Sequence, residues 1–137
     1  MLELTDWIGI LLATVVSMGI GAAWYGGFAK PWVEAAGFTD EQLRHVEAND
    51  QPVVYVIAAV CHLIMAIVLA AFIASRGGGI GSGFWTGMLA WLGFVATSMC
   101  VNHRFQFRPW TLTAIDAGHY FVALIAQGLI LGWFIGP

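Results

Sequence analysis

Four long apolar stretches constrain this chain more than any other feature of its sequence. They cover about residues 7–29, 52–75, 79–102 and 110–135, and only the last holds a charged side chain, Asp116. A helix needs about 20 apolar residues to cross the hydrocarbon core of a bilayer. Composition agrees, because 60% of the residues are hydrophobic and only 9% are charged. We therefore predict an all-α fold, a transmembrane four-helix bundle that forms a single membrane domain over residues 1–137.

Lys and Arg residues flank the four stretches unevenly. Arg76 lies at one end of the predicted bundle, and the other end carries Lys30, Arg44, Arg104 and Arg108. Because positively charged loops tend to stay in the cytoplasm, we expect both longer connections there. Both termini would then face the periplasm of a bacterium, with the protein in the inner membrane. The net charge of -3 and the lack of a basic patch exclude nucleic acid as a partner.

The first connection contains a signal for a helix start. Thr39 is followed three residues later by Gln42, with two acidic residues between them, which is the capping-box pattern. We predict a short amphipathic surface helix at about residues 39–48. Residues 28–32 also resemble residues 107–110, which raises the alternative that the bundle consists of two parallel helix-pair repeats.

Polar side chains gather in the half of the bundle near the longer connections. Asp116 and His119 share one helical face, and His62 comes at a similar depth in the second stretch. Such groups are costly in lipid, so this face must turn towards protein or water. We predict a pocket that opens to the cytoplasm, with these ligand-binding residues: Trp24, Tyr25, His62, Asn102, Asp116 and His119.

Other readings of the same residues stay open. Asp116 and His119 can form a hydrogen-bonded pair that only fixes helix packing. Together with His62 they also offer three metal ligands of suitable type, and the two histidines are suitable axial ligands for haem. These signals are weak, so we assign no metal and leave the cofactor open. No nucleophile–base pair or catalytic motif is present in the sequence, so catalysis is not expected.

Glycine recurs at every fourth position in the third and fourth stretches. Such spacing lets helix backbones approach closely, either within the bundle or between copies in a homo-oligomer. The stripes contain Gly79, Gly83, Gly87, Gly128, Gly132 and Gly136. We expect a protein embedded in the lipid bilayer that binds a small molecule or ion, with transport as an extension. The alternative is a structural or accessory membrane protein that acts by helix–helix contact, as a homo-oligomer or a complex subunit.

Several motifs resemble those of a known protein family. The segments GAAWYGGFAKPW at 21–32 and GFT at 37–39 resemble the opening of domain-of-unknown-function family 1761, which comprises small membrane proteins of bacteria and fungi. WLGFV at 91–95, RPW at 108–110 and DAGHY at 116–120 are also similar. The resemblance covers nearly the whole chain and implies four membrane helices. Family members often carry Asn at the position of Asp116, and the family has no assigned activity.

Overall fold

The structure, a computed structural model, describes residues 3–48 and 52–137, and this part of the chain contains helices and no strands. Four helical segments are long and apolar enough to cross a membrane: Leu4–Gly27, Pro52–Ser75, Ile80–Phe105 and Trp110–Phe134. The prediction of an all-α, multi-pass membrane protein is therefore confirmed. We number the first of these segments α1, the second α4 and the last α7. The proposed internal repeat stays a prediction.

Two short helices follow α1 on one side of the bundle. Helix α2 spans Ala29–Ala36 and ends at Gly37, whose φ of 71° is the left-handed conformation that glycine adopts at helix ends. Helix α3 spans Asp40–Ala48. The Thr39 hydroxyl accepts a hydrogen bond from the Gln42 amide at 3.2 Å, and the Gln42 side chain accepts one from the Thr39 amide at 2.9 Å. The capping box therefore forms, while residues 49–51 of the same connection lie outside the described residues.

The third membrane segment is one long helix with a widened turn. It consists of α5 (Ile80–Ala90), a π-helical turn over Trp91–Ala96, and α6 (Thr97–Phe105). At the start of the π turn, the indole Nε1 of Trp91 donates a hydrogen bond of 2.7 Å to the carbonyl of Ala117 in α7. The irregular turn therefore places a long aromatic side chain across the interface between the third segment and α7.

Helix α7 lies at the centre of the bundle. It packs against α1, α4 and α5, and α4 also contacts α1 and α5, whereas α1 and α5 share no contact in the described residues. The four segments therefore form a diamond with α4 and α7 on its short diagonal. We call the end at which α1 stops and α7 starts the polar end, and the opposite end the glycine end. The apolar core contains Ile10, Ala13, Ala66, Leu69, Ala70, Ile73, Leu124 and Leu131.

The glycine stripes bring α5 and α7 into backbone contact towards the glycine end. A Cβ atom on Gly83 would collide with the carbonyl oxygen of Gly128, and one on Gly128 would collide with the carbonyl oxygen of Gly83. A Cβ atom on Gly132 would likewise lie 2.9 Å from the Cα of Ile80. These glycines are used within the chain and are therefore not free for a contact between copies. Homo-oligomer formation through another surface stays a prediction.

Replacing Gly83 by Ala should destabilise the bundle, whereas Gly81→Ala should not. The added methyl group of Gly83→Ala has no room between α5 and α7, and we expect the free energy of unfolding to fall by about 1 to 3 kcal/mol. Gly81 has open space around it, so Gly81→Ala should leave stability unchanged or slightly raised. Thermal unfolding in detergent micelles measures both. Equal stability of the two variants would contradict the backbone contact.

Candidate functional site

The carboxylate of Asp116 is the hydrogen-bonding centre of the polar end. Its Oδ1 atom accepts a bond of 2.9 Å from the hydroxyl of Tyr25 and one of 3.0 Å from the indole Nε1 of Trp32. Tyr25 comes from the end of α1 and Trp32 from α2, so a single oxygen ties both helices to α7. A carboxylate inside a membrane protein loses its hydrogen bonds to water, and the two donors, Tyr25 and Trp32, replace them.

The second oxygen of Asp116 faces α6. Its Oδ2 atom lies 3.9 Å from Nε2 of His103, an ion pair when that imidazole is protonated. The other ring nitrogen of His103 is 3.0 Å from the hydroxyl of Thr113, which also accepts a hydrogen bond of 2.8 Å from Arg104. The Arg104 guanidinium lies 3.8 Å from the ring centroid of Trp110, a cation–π contact. A polar network therefore links α6 to the first turn of α7.

A cavity of about 280 Å³ adjoins Asp116. It lies between α2, the start of α3 and the segment that precedes α7. Arg108 is fixed at its rim, where Nη1 donates a hydrogen bond of 2.7 Å to the carbonyl of Ala36. The rings of Trp32 and Phe38, 5.5 Å apart, form an aromatic wall. The residues that line the cavity are Trp32, Ala36, Gly37, Phe38, Gln42, Gln106, Arg108, Leu112 and Asp116.

Two buried imidazoles lie deeper in the bundle. The rings of His62 and His119 are 5.8 Å apart, and the ring of Tyr25 is 5.1 Å from that of His119. Both histidines are nearly inaccessible, at 5% and 4% exposure. His119 presses towards α1 at Gly21, where a Cβ atom would lie 3.1 Å from Nε2. Glycine at this position therefore gives the imidazole its room.

Gln127 continues the polar side chains beyond the histidines. It is fully buried, and its Nε2 donates to the hydroxyl of Ser17 at 2.9 Å and to the carbonyl of His62 at 3.1 Å. Along α7 it lies about 16 Å deeper than Asp116. We call the whole series the polar track: Asp116, Tyr25, His119, His62, Gln127 and Ser17. Past Gln127, apolar residues such as Ile10 and Leu131 close the glycine end.

Several atoms of the polar track lack a partner within the described residues. They are Nδ1 of His62, both ring nitrogens of His119 and Oε1 of Gln127. Buried polar side-chain atoms are paired in the large majority of cases, with protein or with ordered water. The unpaired atoms of His62, His119 and Gln127 are therefore candidates for hydrogen bonds to a ligand or to water.

Five of the six predicted site residues lie together at the polar end. Besides Tyr25, His62, Asp116 and His119, Trp24 belongs there, because its Nε1 donates to the carbonyl of Ile115 at 3.0 Å. Its ring packs over Gly118, where a Cβ atom would lie 2.9 Å away. These residues do not line one open pocket as we expected, since their side chains fill the space between α1 and α7.

Asn102 lies apart from the other five. It is exposed and, with Tyr120, lines a separate groove of about 530 Å³ between α4 and the third segment. The reason is helical rotation, because successive side chains point in different directions around the helix axis. Its neighbour His103 faces Asp116 instead. The expectation that Asn102 shares a pocket with Asp116 is therefore wrong.

The expected pairing of Asp116 with His119 is also wrong. Asp116 turns towards Tyr25, Trp32 and His103, whereas His119 turns towards α1 and α4 and makes no hydrogen bond in the described residues. In the same part of the chain, no group of three or more His, Cys, Asp or Glu side chains is placed to hold a metal ion. The set of Asp116, His62 and His119 is therefore not assembled as a three-ligand site.

Sequence reasoning left out Trp32, His103 and Arg108. Trp32 and Arg108 belong to two similar segments, KPW at 30–32 and RPW at 108–110. That similarity is the sequence feature that could have identified them as site residues. His103 follows Asn102 directly, and helical periodicity alone does not show which of the two faces Asp116. Only the folded chain shows that all three reach the surroundings of Asp116.

Asp116→Asn should leave the stability of the bundle nearly unchanged, whereas Asp116→Leu should lower it. An amide oxygen can still accept from Tyr25 and Trp32, so we expect the free energy of unfolding to change by less than about 1 kcal/mol. Leucine leaves both donors without a partner and should cost about 1 to 3 kcal/mol. Unfolding curves of the three proteins in one detergent decide this. If Asn and Leu destabilise equally, the charge contact with His103 is the important interaction instead.

Comparison with known proteins gives one match. The model of a family described as a protein of unknown function (DUF1761) matches residues 8–132, which include every residue of the polar track. No curated protein and no solved structure matches the chain.

Proposed function

The chain belongs to the DUF1761 family of proteins of unknown function, and from its geometry we propose that it is a membrane protein that binds a small polar molecule or ion. The unpaired nitrogen and oxygen atoms of His62, His119 and Gln127 carry this proposal. Each buried polar group without a hydrogen bond costs about 1 to 3 kcal/mol. A ligand that supplies the missing partners recovers that free energy.

In this proposal the ligand enters the bundle along the polar track, whose side chains fill the space between α1 and α7 and have to move aside. Asp116 belongs both to the cavity at the polar end and to the track, and Tyr25 connects it with His119. In this proposal, Trp24 and Tyr25 form the walls at the entrance, and His119 and His62 hold the ligand inside. Asn102 has no part in it, since it lies on a different surface.

Transport is the natural extension of such a site. The track runs inward from the polar end, and the apolar core blocks it before the glycine end. A carrier of this design has to separate α7 from α1 or α4 to open the blocked end. The excess of Lys and Arg favours a cytoplasmic location for the polar end, with the protein in a bacterial inner membrane. The competing role in helix–helix contact is less favoured, because four of the six glycines that suggested it pack against backbone inside the chain: Gly83, Gly87, Gly128 and Gly132.

The proposal requires that water-borne polar molecules reach His119. In a chain whose Cys61 and Cys100 are replaced by Ala, we expect His119→Cys to react with the small cationic thiol reagent methanethiosulfonate ethylammonium. The reason is that position 119 lies on the polar track, which the cavity at Asp116 connects to water. Mass spectrometry of samples taken over time gives the rate.

Ala70→Cys is the matched control, since Ala70 is fully buried in the apolar core and its replacement also introduces one thiol. The cysteine at position 119 should react at least about tenfold faster than the one at position 70, because a charged reagent is excluded from apolar surroundings. Similar, slow reaction of both cysteines would refute an accessible track.

A further inference from the structure

The cavity at the polar end holds two opposite charges that do not neutralise each other. Asp116 and Arg108 both line it, yet in the described residues Arg108 makes no ion pair, and the only ion-pair partner of Asp116 is His103. Each is held in place by neutral groups: Asp116 by Tyr25 and Trp32, Arg108 by a backbone carbonyl. Neutral groups therefore hold both charges at the cavity without neutralising them.

Each charge keeps unused hydrogen-bonding capacity. Both hydrogen bonds to Asp116 go to Oδ1, so Oδ2, which lies 3.9 Å from Nε2 of His103 and accepts no hydrogen bond in the described residues, can still accept one from an amine. One nitrogen of the Arg108 guanidinium is bound to Ala36, which leaves further N–H groups of the planar fork. Such a fork matches the oxygens of a carboxylate or a phosphate. The cavity can therefore satisfy a cationic group and an oxyanion at the same time.

The aromatic wall supports the cationic half. Trp32 donates its indole N–H to Asp116, so its ring lies next to the carboxylate, and Phe38 packs against that ring. The N–H edge of the indole points at the carboxylate, so an ammonium group bound to Asp116 gains cation–π attraction only where it also lies over the face of the Trp32 or Phe38 ring.

The size and place of the cavity limit the ligand further. A volume of about 280 Å³ is at the small end of ligand sites. The cavity lies where membrane helices end, next to the exposed aromatic residues Phe107 and Trp110, which are 95% and 64% exposed. Aromatic residues of this kind concentrate at the level of lipid headgroups. Zwitterionic groups of suitable size occur at this level as headgroups and in the adjoining water as free molecules.

We infer that the cavity between Asp116 and Arg108 binds a small zwitterion, with a primary amine at Asp116 and a phosphate or carboxylate at Arg108. This assignment rests on the proposed function, for which it names the class of ligand. The amine donates to Oδ2 of Asp116 beside the Trp32 ring, and the oxyanion accepts from the guanidinium. The same chemistry is present in a free molecule such as phosphoethanolamine and in the headgroup of phosphatidylethanolamine.

Calorimetric titration of the full chain in detergent micelles tests the two halves of this recognition. The probes are phosphoethanolamine, ethanolamine and inorganic phosphate. We expect phosphoethanolamine to bind at least about tenfold more tightly than either half, because only it makes both charge-assisted contacts. Measurable binding of phosphoethanolamine with no higher affinity than one of its halves would overturn the inference.

Charge-removing variants assign each half to a residue. Arg108→Gln should weaken binding of phosphoethanolamine about tenfold or more and remove the response to phosphate. Asp116→Asn keeps an oxygen for Tyr25 and Trp32. It should weaken binding of phosphoethanolamine about tenfold or more and remove the response to ethanolamine. Arg76→Gln is the matched control, because it removes one positive charge at the glycine end, and it should bind like the parent. Equal weakening by Arg76→Gln and Arg108→Gln would mean that only overall charge matters, which overturns the inference.

A second measurement separates the two sources of the zwitterion. Native mass spectrometry of protein released from nanodiscs shows whether phosphatidylethanolamine is retained in preference to phosphatidylglycerol, and whether Arg108→Gln abolishes that preference. Retention of the lipid without binding of free phosphoethanolamine assigns the site to a headgroup, and the reverse result assigns it to a free molecule. If phosphatidylethanolamine is not retained in preference and free phosphoethanolamine does not bind, the inference is overturned. If phosphoethanolamine binds while a cysteine at position 119 stays inert, the inner route fails and the zwitterion site stands.

Discussion

Hydrocarbon offers no hydrogen bonds, and this constraint determines where α7 lies. The helix carries Asp116, His119 and Gln127, which lipid would leave without partners at a cost of several kcal/mol for an ionised carboxylate. It therefore lies on the short diagonal of the diamond, in contact with all three other membrane segments. There Asp116 accepts hydrogen bonds from the hydroxyl of Tyr25 and the indole of Trp32, and these bonds hold the end of α1 and helix α2 against α7. The cavity beside Asp116 follows from that arrangement.

The two ends of the bundle use opposite means of holding helices together. At the glycine end, α5 and α7 approach until their backbones touch, with Gly83 against Gly128, which leaves no room for a ligand. At the polar end, large aromatic side chains such as Trp24 and Trp91 bridge the helices by donating to carbonyls of α7. Side chains of this size keep the backbones apart, which leaves room for the cavity beside Asp116 and for the buried imidazoles of His62 and His119. The position of the candidate site is therefore a result of packing.

Hydropathy alone was sufficient to predict the all-α membrane fold, because uncharged runs of this length have few other stable arrangements. Periodicity also predicted that Asp116 and His119 face the protein interior. It could not predict their partners, because a spacing of three residues leaves the two side chains about 60° apart on the helix. In the structure this difference sends Asp116 to α2 and α6, and His119 to α1 and α4. Asn102 and His103 show the same limit, since one residue of rotation decides which of them reaches Asp116.

The central claim is that Asp116 turns inward and is held by the indole of Trp32. Amide and indole NMR spectra of the ¹⁵N-labelled protein in nanodiscs test it most directly, because a hydrogen bond to a carboxylate shifts an indole proton downfield and slows its exchange with water. We predict that the Trp32 indole signal of the parent protein is shifted downfield and exchanges slowly. In Asp116→Leu this signal should change position, whereas the signal of exposed Trp110 should stay where it is. The account would be contradicted if the Trp32 indole proton exchanged as fast as that of Trp110 and kept its chemical shift in Asp116→Leu.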